Sequence, residues 1–401
     1  MTNERILAEG ISVSNDTRAT GLNNNDMLIW SSVAGKTGGY VIPNMQAIEG
    51  SMIVSDTKGR LEKMFKKELE EKGYKVHVLD LVNPERSCGY NPLAHIRKDK
   101  DGNYREQDIL TLARLLSPNQ TLEDPFWDNA ATAQIAFYIA YCLDAMPPEE
   151  RNMAGICGIH GIYCQPGGKE FFLKWALQNP EKYAAKKDIQ VSAVNGSEKT
   201  ASCINQFVTL ALDCFDFREA EAIFGSSESI RLADLGREKT VMFLNVSDTD
   251  TAFDRFVNII YAQGLQVLCS EADGNPTGRL DVPVRIIMDD FAASARIPGF
   301  DKIISVIRSR DISVSIVLQS LTQLETMYSR PTALTIVNNC DHLIYLGCQD
   351  LDTANFIAHH LGNTPEKVLS MPLSDAILIT KGQKAQQVRK VIPYSTASTV
   401  A

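Results

Sequence analysis

No stretch of this sequence reaches the ~18–20 consecutive apolar residues that a membrane span requires. Its first ten residues, Met1 to Gly10, are polar and hold no signal-peptide core. The reading is a soluble, cytosolic chain, free to be the soluble part of something larger. No C-x-x-C pair is present either. The nine cysteines (Cys88, Cys142, Cys157, Cys164, Cys203, Cys214, Cys269, Cys340 and Cys348) are scattered and odd in number, which suits free thiols in a reducing compartment. The six histidines do not sit at ligand spacing with them, and adjacent His359-His360 point to different faces of a helix, so a zinc site is not expected. Positive charge is also in deficit: 40 Lys and Arg against 49 Asp and Glu leave a net charge of −9. That excludes a surface that coats nucleic acid nonspecifically, although not a basic groove or pore in an assembly. No internal repeat or low-complexity block is visible.

What remains is an ordinary globular composition, 44% apolar and 22% charged over 401 residues, enough for two or three domains or one large domain with an insertion. Strand-like and helix-like segments alternate at first. Asp26–Trp30 reads as a strand, 37–47 as a helix and Ser51–Ser55 as a strand ending at Asp56-Thr57-Lys58-Gly59. Leu61–Lys72 is an amphipathic helix closed by Gly73, and Lys75–Leu81 alternates in the β manner. From Glu106 to Phe217 strand signals vanish. Helical runs at 130–143, 171–178 and 203–214 take over, separated by Pro147-Pro148 and by the Gly/Pro-rich stretch Cys157–Gly168. The alternation resumes with strands at Thr240–Val246, Val284–Met288, Ile312–Leu318, His342–Leu346 and Ala376–Thr380, and a long helix over about 251–272. Interleaved strands and helices imply an α/β fold with a mainly parallel, doubly wound sheet, interrupted once by an all-α insertion. The expected organisation is 1–105 and 218–401 as two parts of one nucleotide-binding domain, with 106–217 as the insertion.

The chemistry concentrates at strand ends. Met27-Leu28-Ile29-Trp30 runs into Ser31-Ser32-Val33-Ala34-Gly35-Lys36-Thr37, the strand–loop–helix layout of a phosphate-binding loop over 30–37. In such a loop the backbone amides of Ser32, Val33, Ala34 and Gly35 and the following helix N-terminus cradle phosphates. Lys36 pairs with them, and the Thr37 hydroxyl holds Mg²⁺. The full pattern asks for glycine five residues before Gly35, where this chain has Trp30. Val284-Arg285-Ile286-Ile287-Met288 ends in Asp289-Asp290, the look of a Walker B strand over 284–290. Asp289 then holds the Mg²⁺ and Asp290 orients the attacking water. Ile312–Leu318 ends at Gln319, placed to sense a γ-phosphate, or a simple strand terminus. Arg308 and Arg310, just before that strand, are candidate fingers for a neighbour's nucleotide, or solvated helix-end residues. Asp56-Thr57-Lys58-Gly59 closes a strand on the loop's side of the sheet, as part of the site or as a plain turn.

Several further motifs come in a fixed order: Asn23-Asn24-Asn25, Tyr40-Val41-Ile42-Pro43-Asn44, Val54-Ser55-Asp56-Thr57-Lys58-Gly59, Tyr90-Asn91-Pro92-Leu93, Asp124-Pro125-Phe126-Trp127, Asp289-Asp290-Phe291-Ala292, Ile297-Pro298-Gly299-Phe300 and Ile307-Arg308-Ser309-Arg310. Together they resemble the type IV secretion coupling proteins, TraG/TraD-like DNA-transfer ATPases of conjugative elements. The resemblance runs from about Leu22 to the last strands. It implies a RecA-like P-loop NTPase core with an inserted all-α domain and a homo-hexameric ring. The ring would stand at the cytoplasmic face of the inner or cell membrane, held there by an anchor missing from this sequence or by partners. It implies ATP and Mg²⁺ as cofactors. The implied partners are single-stranded DNA with its relaxase, and secretion-channel components. The family's nucleotide-binding residues map onto Gly35, Lys36 and Thr37, its Walker B acids onto Asp289 and Asp290, and its strand-end glutamine onto Gln319.

The departures are a loop poor in glycine, Asp290 where the family commonly has Glu, and a segment between Leu361 and Ala376 shorter than in relatives. The expected activity is therefore that of an ATPase with a degenerate Walker A loop. Two alternatives stand beside it: a catalytically impaired recruitment module of the same fold, and a cytosolic helicase-like ATPase.

Overall fold

The computed structural model describes residues 3–30, 37–57, 59–117, 125–194, 196–226, 229–247, 254–289, 291 and 296–391. Among them are eleven strands: β1 (Glu4–Ala8), β2 (Ile11–Ser14), β3 (Asp26–Ile29), β4 (Ser51–Thr57), β5 (Lys75–Asp80), β6 (Thr240–Val246), β7 (Val284–Met288), β8 (Ile312–Leu318), β9 (His342–Tyr345), β10 (Asp375–Thr380) and β11 (Gln386–Arg389). β1 and β2 form an antiparallel hairpin. The other nine make one sheet in the order β11-β10-β9-β3-β8-β7-β4-β6-β5. β3 is parallel to β8 and β9, and β7 is parallel to β8 and β4, while β10 pairs antiparallel with β9 and β11. Parallel neighbours need crossover connections that cover both faces of the sheet, so the central strands are buried on both sides. Every residue of β3 and of β8 is buried, and β8 is rich in the β-branched residues that pack on a pleated surface.

The chain divides into two compact units. The first comprises Met1–His77, Ala233–Leu244 and Leu265–Ala401 and carries the central strands. The second comprises Val78–Leu232 and Asn245–Gly264. Its core is helical, built around Pro125–Ala145, a 21-residue helix with buried side chains all round its circumference, the pattern of a helix enclosed by others. No helix among the described residues is long and apolar enough to cross a membrane.

Three elements differ from the sequence reading. Cys157–Gly168 is not a break, because Met153–Cys164 is a helix. One of its glycines is required by close packing: a Cβ on Gly155 would lie 2.1 Å from the Glu150 carbonyl oxygen and 3.4 Å from Cys142 Sγ. The helix expected over 37–47 opens with a wide π-helical turn, Thr37–Val41, before the regular turn Ile42–Gln46. Pro43 has no N–H to give the carbonyl four residues back, and its ring crowds that position, so a tight α-turn is disfavoured there. The hairpin strands β1 and β2 and the edge strand β11 are only four or five residues long, too short for their pattern to announce them.

Candidate nucleotide site

The parallel register brings three strand exits to one edge of the sheet. Ile29 of β3 lies opposite Leu318 of β8, and Met288 of β7 opposite Ile316 of β8. Trp30, Gln319 and Asp289 therefore leave the sheet side by side, in the order β3, β8, β7. At a strand spacing of about 4.8 Å, the β3 and β7 exits are roughly 10 Å apart. That gap suits a loop that holds phosphates from one side and a carboxylate that faces them from the other. Ligands in open α/β sheets gather at this C-terminal edge.

Each exit is held in place. Trp30, 2% exposed, donates its backbone N–H to the Leu318 carbonyl at 2.9 Å, so the β3–β8 ladder continues one residue past β3. Residues Ser31, Ser32, Val33, Ala34, Gly35 and Lys36 lie outside the described residues. Thr37 is half-buried where the chain re-enters. Asp289 is half-buried at the end of β7, and Asp290 lies outside the described residues. Phe291 donates its N–H to the Val317 carbonyl at 3.1 Å and carries the β7–β8 pairing beyond the acids. Gln319 is exposed. Its Oε1 accepts from Gln323 Nε2 at 3.4 Å, and Ser320 caps the next helix, Leu321–Tyr328, by accepting the Gln323 N–H.

Asp56, at the exit of β4, is 1% exposed, and its carboxylate accepts the backbone N–H groups of Arg60 (2.9 Å) and Glu62 (2.9 Å). Burial pushes its carboxyl up, against the pull of those amides. It caps the helix Arg60–Glu71, so the Asp56-Thr57 part of this motif reads as a turn and cap; Lys58 lies outside the described residues. Arg308 and Arg310 precede β8 and sit at the opposite, N-terminal edge of the sheet. Six residue steps of β8 put them about 20 Å from the Gln319 end. Arg310 makes a two-pronged ion pair with Asp273, at 2.8 and 3.1 Å. Arg308 is exposed, with one Nη2 donating to the Thr17 carbonyl at 3.1 Å. Neither is brought to its own chain's Asp289.

A buried ionic cluster at the N-terminal edge escaped the sequence reading. Arg5 Nε donates to both oxygens of Asp26, at 3.0 and 2.8 Å, and Arg285 Nη1 donates to Asp26 Oδ2 at 3.2 Å and to Ser315 Oγ at 2.9 Å. The Tyr40 hydroxyl donates to Asp26 as well. Burial opposes ionisation of Asp26, but Arg5 and Arg285 outweigh it and hold the carboxyl below the ordinary carboxylate value. Asn44 exchanges hydrogen bonds with the backbone of Ile6 at 2.9 Å in each direction. The cluster thus bolts the segment after the phosphate loop to β1, β3, β7 and β8. A charge at the head of β3 and an arginine inside the apolar Val284–Met288 run were the available signals.

Among the described residues no group of three or more His, Cys, Asp and Glu side chains is arranged to hold a metal. The donors at the loop edge are instead hard oxygens, the Thr37 hydroxyl and the Asp289 carboxylate, the set that Mg²⁺ takes when substrate phosphates complete its shell.

Comparison with known proteins agrees with this arrangement. Protein VirD4 of Agrobacterium fabrum is 21% identical over 354 residues, covering 88% of this chain and 51% of VirD4. The chain thus spans about half the length of the curated relatives it matches. The fold is that of the bacterial conjugative coupling protein TrwB (the N-terminally truncated TrwBdeltaN70), with a TM-score of 0.72 at 14% identity over 97% of this chain and 89% of that one. TrwB in complex with the non-hydrolysable ATP analogue ADPNP gives a TM-score of 0.70 at 13% identity, over 97% and 89% of the two chains. TrwB in complex with ADP and Mg²⁺ gives 0.68 at 13%, over 91% and 85%. The fold is thus the RecA-like P-loop NTPase core expected from the sequence. A profile of the family described as type IV secretory system conjugative DNA transfer matches residues 4–364, and to that family this chain belongs.

Proposed function

We propose that the chain is a coupling-protein ATPase that recruits DNA with its relaxase and drives it into a type IV secretion channel. The single observation that carries this is the shared sheet edge: the phosphate-loop exit, the Walker B acid Asp289 and the strand-end Gln319 leave three adjacent parallel strands together. The binding of ADPNP by TrwB, and of ADP with Mg²⁺, supports ATP and Mg²⁺ as the ligands here.

In this reading the amides of residues 32–35 and the Lys36 ammonium bind the phosphates. Thr37 and Asp289 hold the Mg²⁺, which neutralises charge that develops on the transferred phosphoryl group. Asp290 orients the attacking water, and Gln319 reports the γ-phosphate to the helix Leu321–Tyr328. A hexameric ring, with Arg308 of one subunit serving the next, completes the site. The ring stands at the cytoplasmic face of the membrane.

Lys36→Ala tests the reading. Titration with a fluorescent ATP analogue, with and without Mg²⁺, should show binding lost while circular dichroism and the thermal midpoint are retained, and phosphate release should fall to background. Unchanged nucleotide affinity in that variant defeats the assignment. The recruitment-module alternative predicts no Mg²⁺-dependent phosphate release by the wild type at all. The helicase-like alternative predicts strand separation without any secretion partner.

A further inference from the structure

Asp289 at the end of β7 and Gln319 at the end of β8 follow separate strands, and one short helix ties the two strand ends together. Leu321–Tyr328 starts two residues after Gln319 and ends at Tyr328, which is 2% exposed. The Tyr328 ring stacks on Phe291, the second residue after Asp289, with centroids 6.0 Å apart and planes 6° from parallel. Phe300 closes the trio, 4.9 Å from Phe291 and 6.4 Å from Tyr328. The Tyr328 hydroxyl accepts the Ile297 N–H at 2.9 Å and donates to the Ile297 carbonyl at 3.3 Å. The Arg296 guanidinium lies 5.4 Å from the same ring's centre. Tyr328 therefore grips both Phe291 and Ile297, which flank the segment leading away from the Walker B acids.

Two further observations set Tyr328 apart from an ordinary core tyrosine. Its helix is fixed at the start, where Thr353 Oγ1 accepts the Leu321 N–H at 3.0 Å, so the strut is anchored at both ends. Directly after Tyr328 the chain turns through Ser329 at φ 69° and ψ 151°, a region that is almost exclusive to glycine and costs ~1–3 kcal/mol for other residues. Such strain persists only where the surroundings over-determine it, and here it ends the helix at Tyr328 and at no later residue.

We propose that Tyr328 is a positioning residue for nucleotide hydrolysis: through Phe291 and Ile297 it fixes the exit of β7 against the helix that begins at Gln319. It contacts no substrate. It sets the distance between the group that holds the metal and the group that senses the phosphate. This inference rests on the ATPase reading above.

The test compares Tyr328→Phe, which keeps the stacked ring and deletes the hydroxyl, with Tyr74→Phe. Tyr74 loses a comparable hydroxyl bond, to the Ile48 carbonyl at 3.2 Å, next to the start of β5. Tyr328→Phe should bind the fluorescent ATP analogue within about twofold of wild type and lose about tenfold or more in kcat for phosphate release. Tyr74→Phe should leave both unchanged. Wild-type kcat in Tyr328→Phe, or an equal loss in both variants, overturns the proposal. If Tyr328→Phe does not fold, Phe291→Leu, which removes the ring from the other side of the stack, carries the same prediction of lost kcat at retained affinity. A wild type without Mg²⁺-dependent turnover defeats the ATPase reading itself and takes this inference with it; turnover that survives in Tyr328→Phe defeats only the inference.

Discussion

Two buried carboxylates in this chain face opposite electrostatics. Asp26 is surrounded by two guanidinium groups and a tyrosine hydroxyl, so its charge is compensated at every oxygen. Asp188, in the helix Tyr183–Val194, is fully buried, and neither of its oxygens has a hydrogen-bond partner among the described residues. Burial alone pushes its pKa up to about 6. Between about pH 4 and 6 the folded state therefore holds a proton that the unfolded chain has released. Stability then falls as pH rises through that window, and the loss is complete above it, at most about 3 kcal/mol. Asp188→Asn removes the titration. Its thermal midpoint should lose the part of the pH dependence between 4 and 6 that wild type shows, and should match or exceed wild type at pH 8. Parallel pH profiles of the two proteins would show that Asp188 is ionised and solvated in the folded state after all.

At the scale of elements, the helix Met153–Cys164 carries three glycines at three-residue spacing, which act differently. A Cβ on Gly155 meets the Glu150 carbonyl, whereas one on Gly158 meets nothing within 4 Å. Gly155→Ala should destabilise by about 1–3 kcal/mol through overpacking, and Gly158→Ala should stabilise by up to about 1 kcal/mol through helix propensity. Urea denaturation of both variants measures the difference, and equal effects would remove the packing explanation. The same helix shows why legibility varied. Val284–Met288, Ile312–Leu318 and Thr240–Val246 were readable to the residue because strands buried on both faces are written as short segments dense in β-branched and other apolar residues, with only isolated polar ones such as Arg285, Ser313, Ser315 and Asn245. The helix Met153–Cys164 was not, because its glycines read as loop signals, while Gly155 answers a contact with Cys142 and Glu150 that no local pattern encodes. β11 was invisible because an edge strand needs no apolar face, and the β1–β2 hairpin because strands of five and four residues are too short to show a period. Of the candidate site, the positions of Asp289 and Gln319 at neighbouring strand exits were legible as polar residues after apolar segments. The part played by Tyr328 was not, since it depends on a stack with a residue 37 positions away.

For the whole molecule, the separation of Arg308 from the loop edge decides how a complete site can form. About 20 Å of β8 stands between them, and Arg310 is already committed to Asp273. If either arginine serves as a finger in the proposed ring, it does so across a subunit boundary, and Arg308, which among the described residues donates to the Thr17 carbonyl, is the freer of the two. Arg308→Ala should then retain nucleotide affinity and lose about a thousandfold in kcat, the lower range for such fingers. The loss should depend on assembly. Mixed with a molar excess of Lys36→Ala chains, which bind no nucleotide but carry an intact Arg308, the Arg308→Ala chains should regain phosphate release, because each supplies what its neighbour lacks. Specific activity of the wild type should rise with protein concentration over the same range in which light scattering detects the ring. Full activity in Arg308→Ala, or no recovery on mixing under conditions where the ring forms, would show that each subunit completes its own site and that Arg308 only tethers the short helix Thr17–Thr20 through the Thr17 carbonyl.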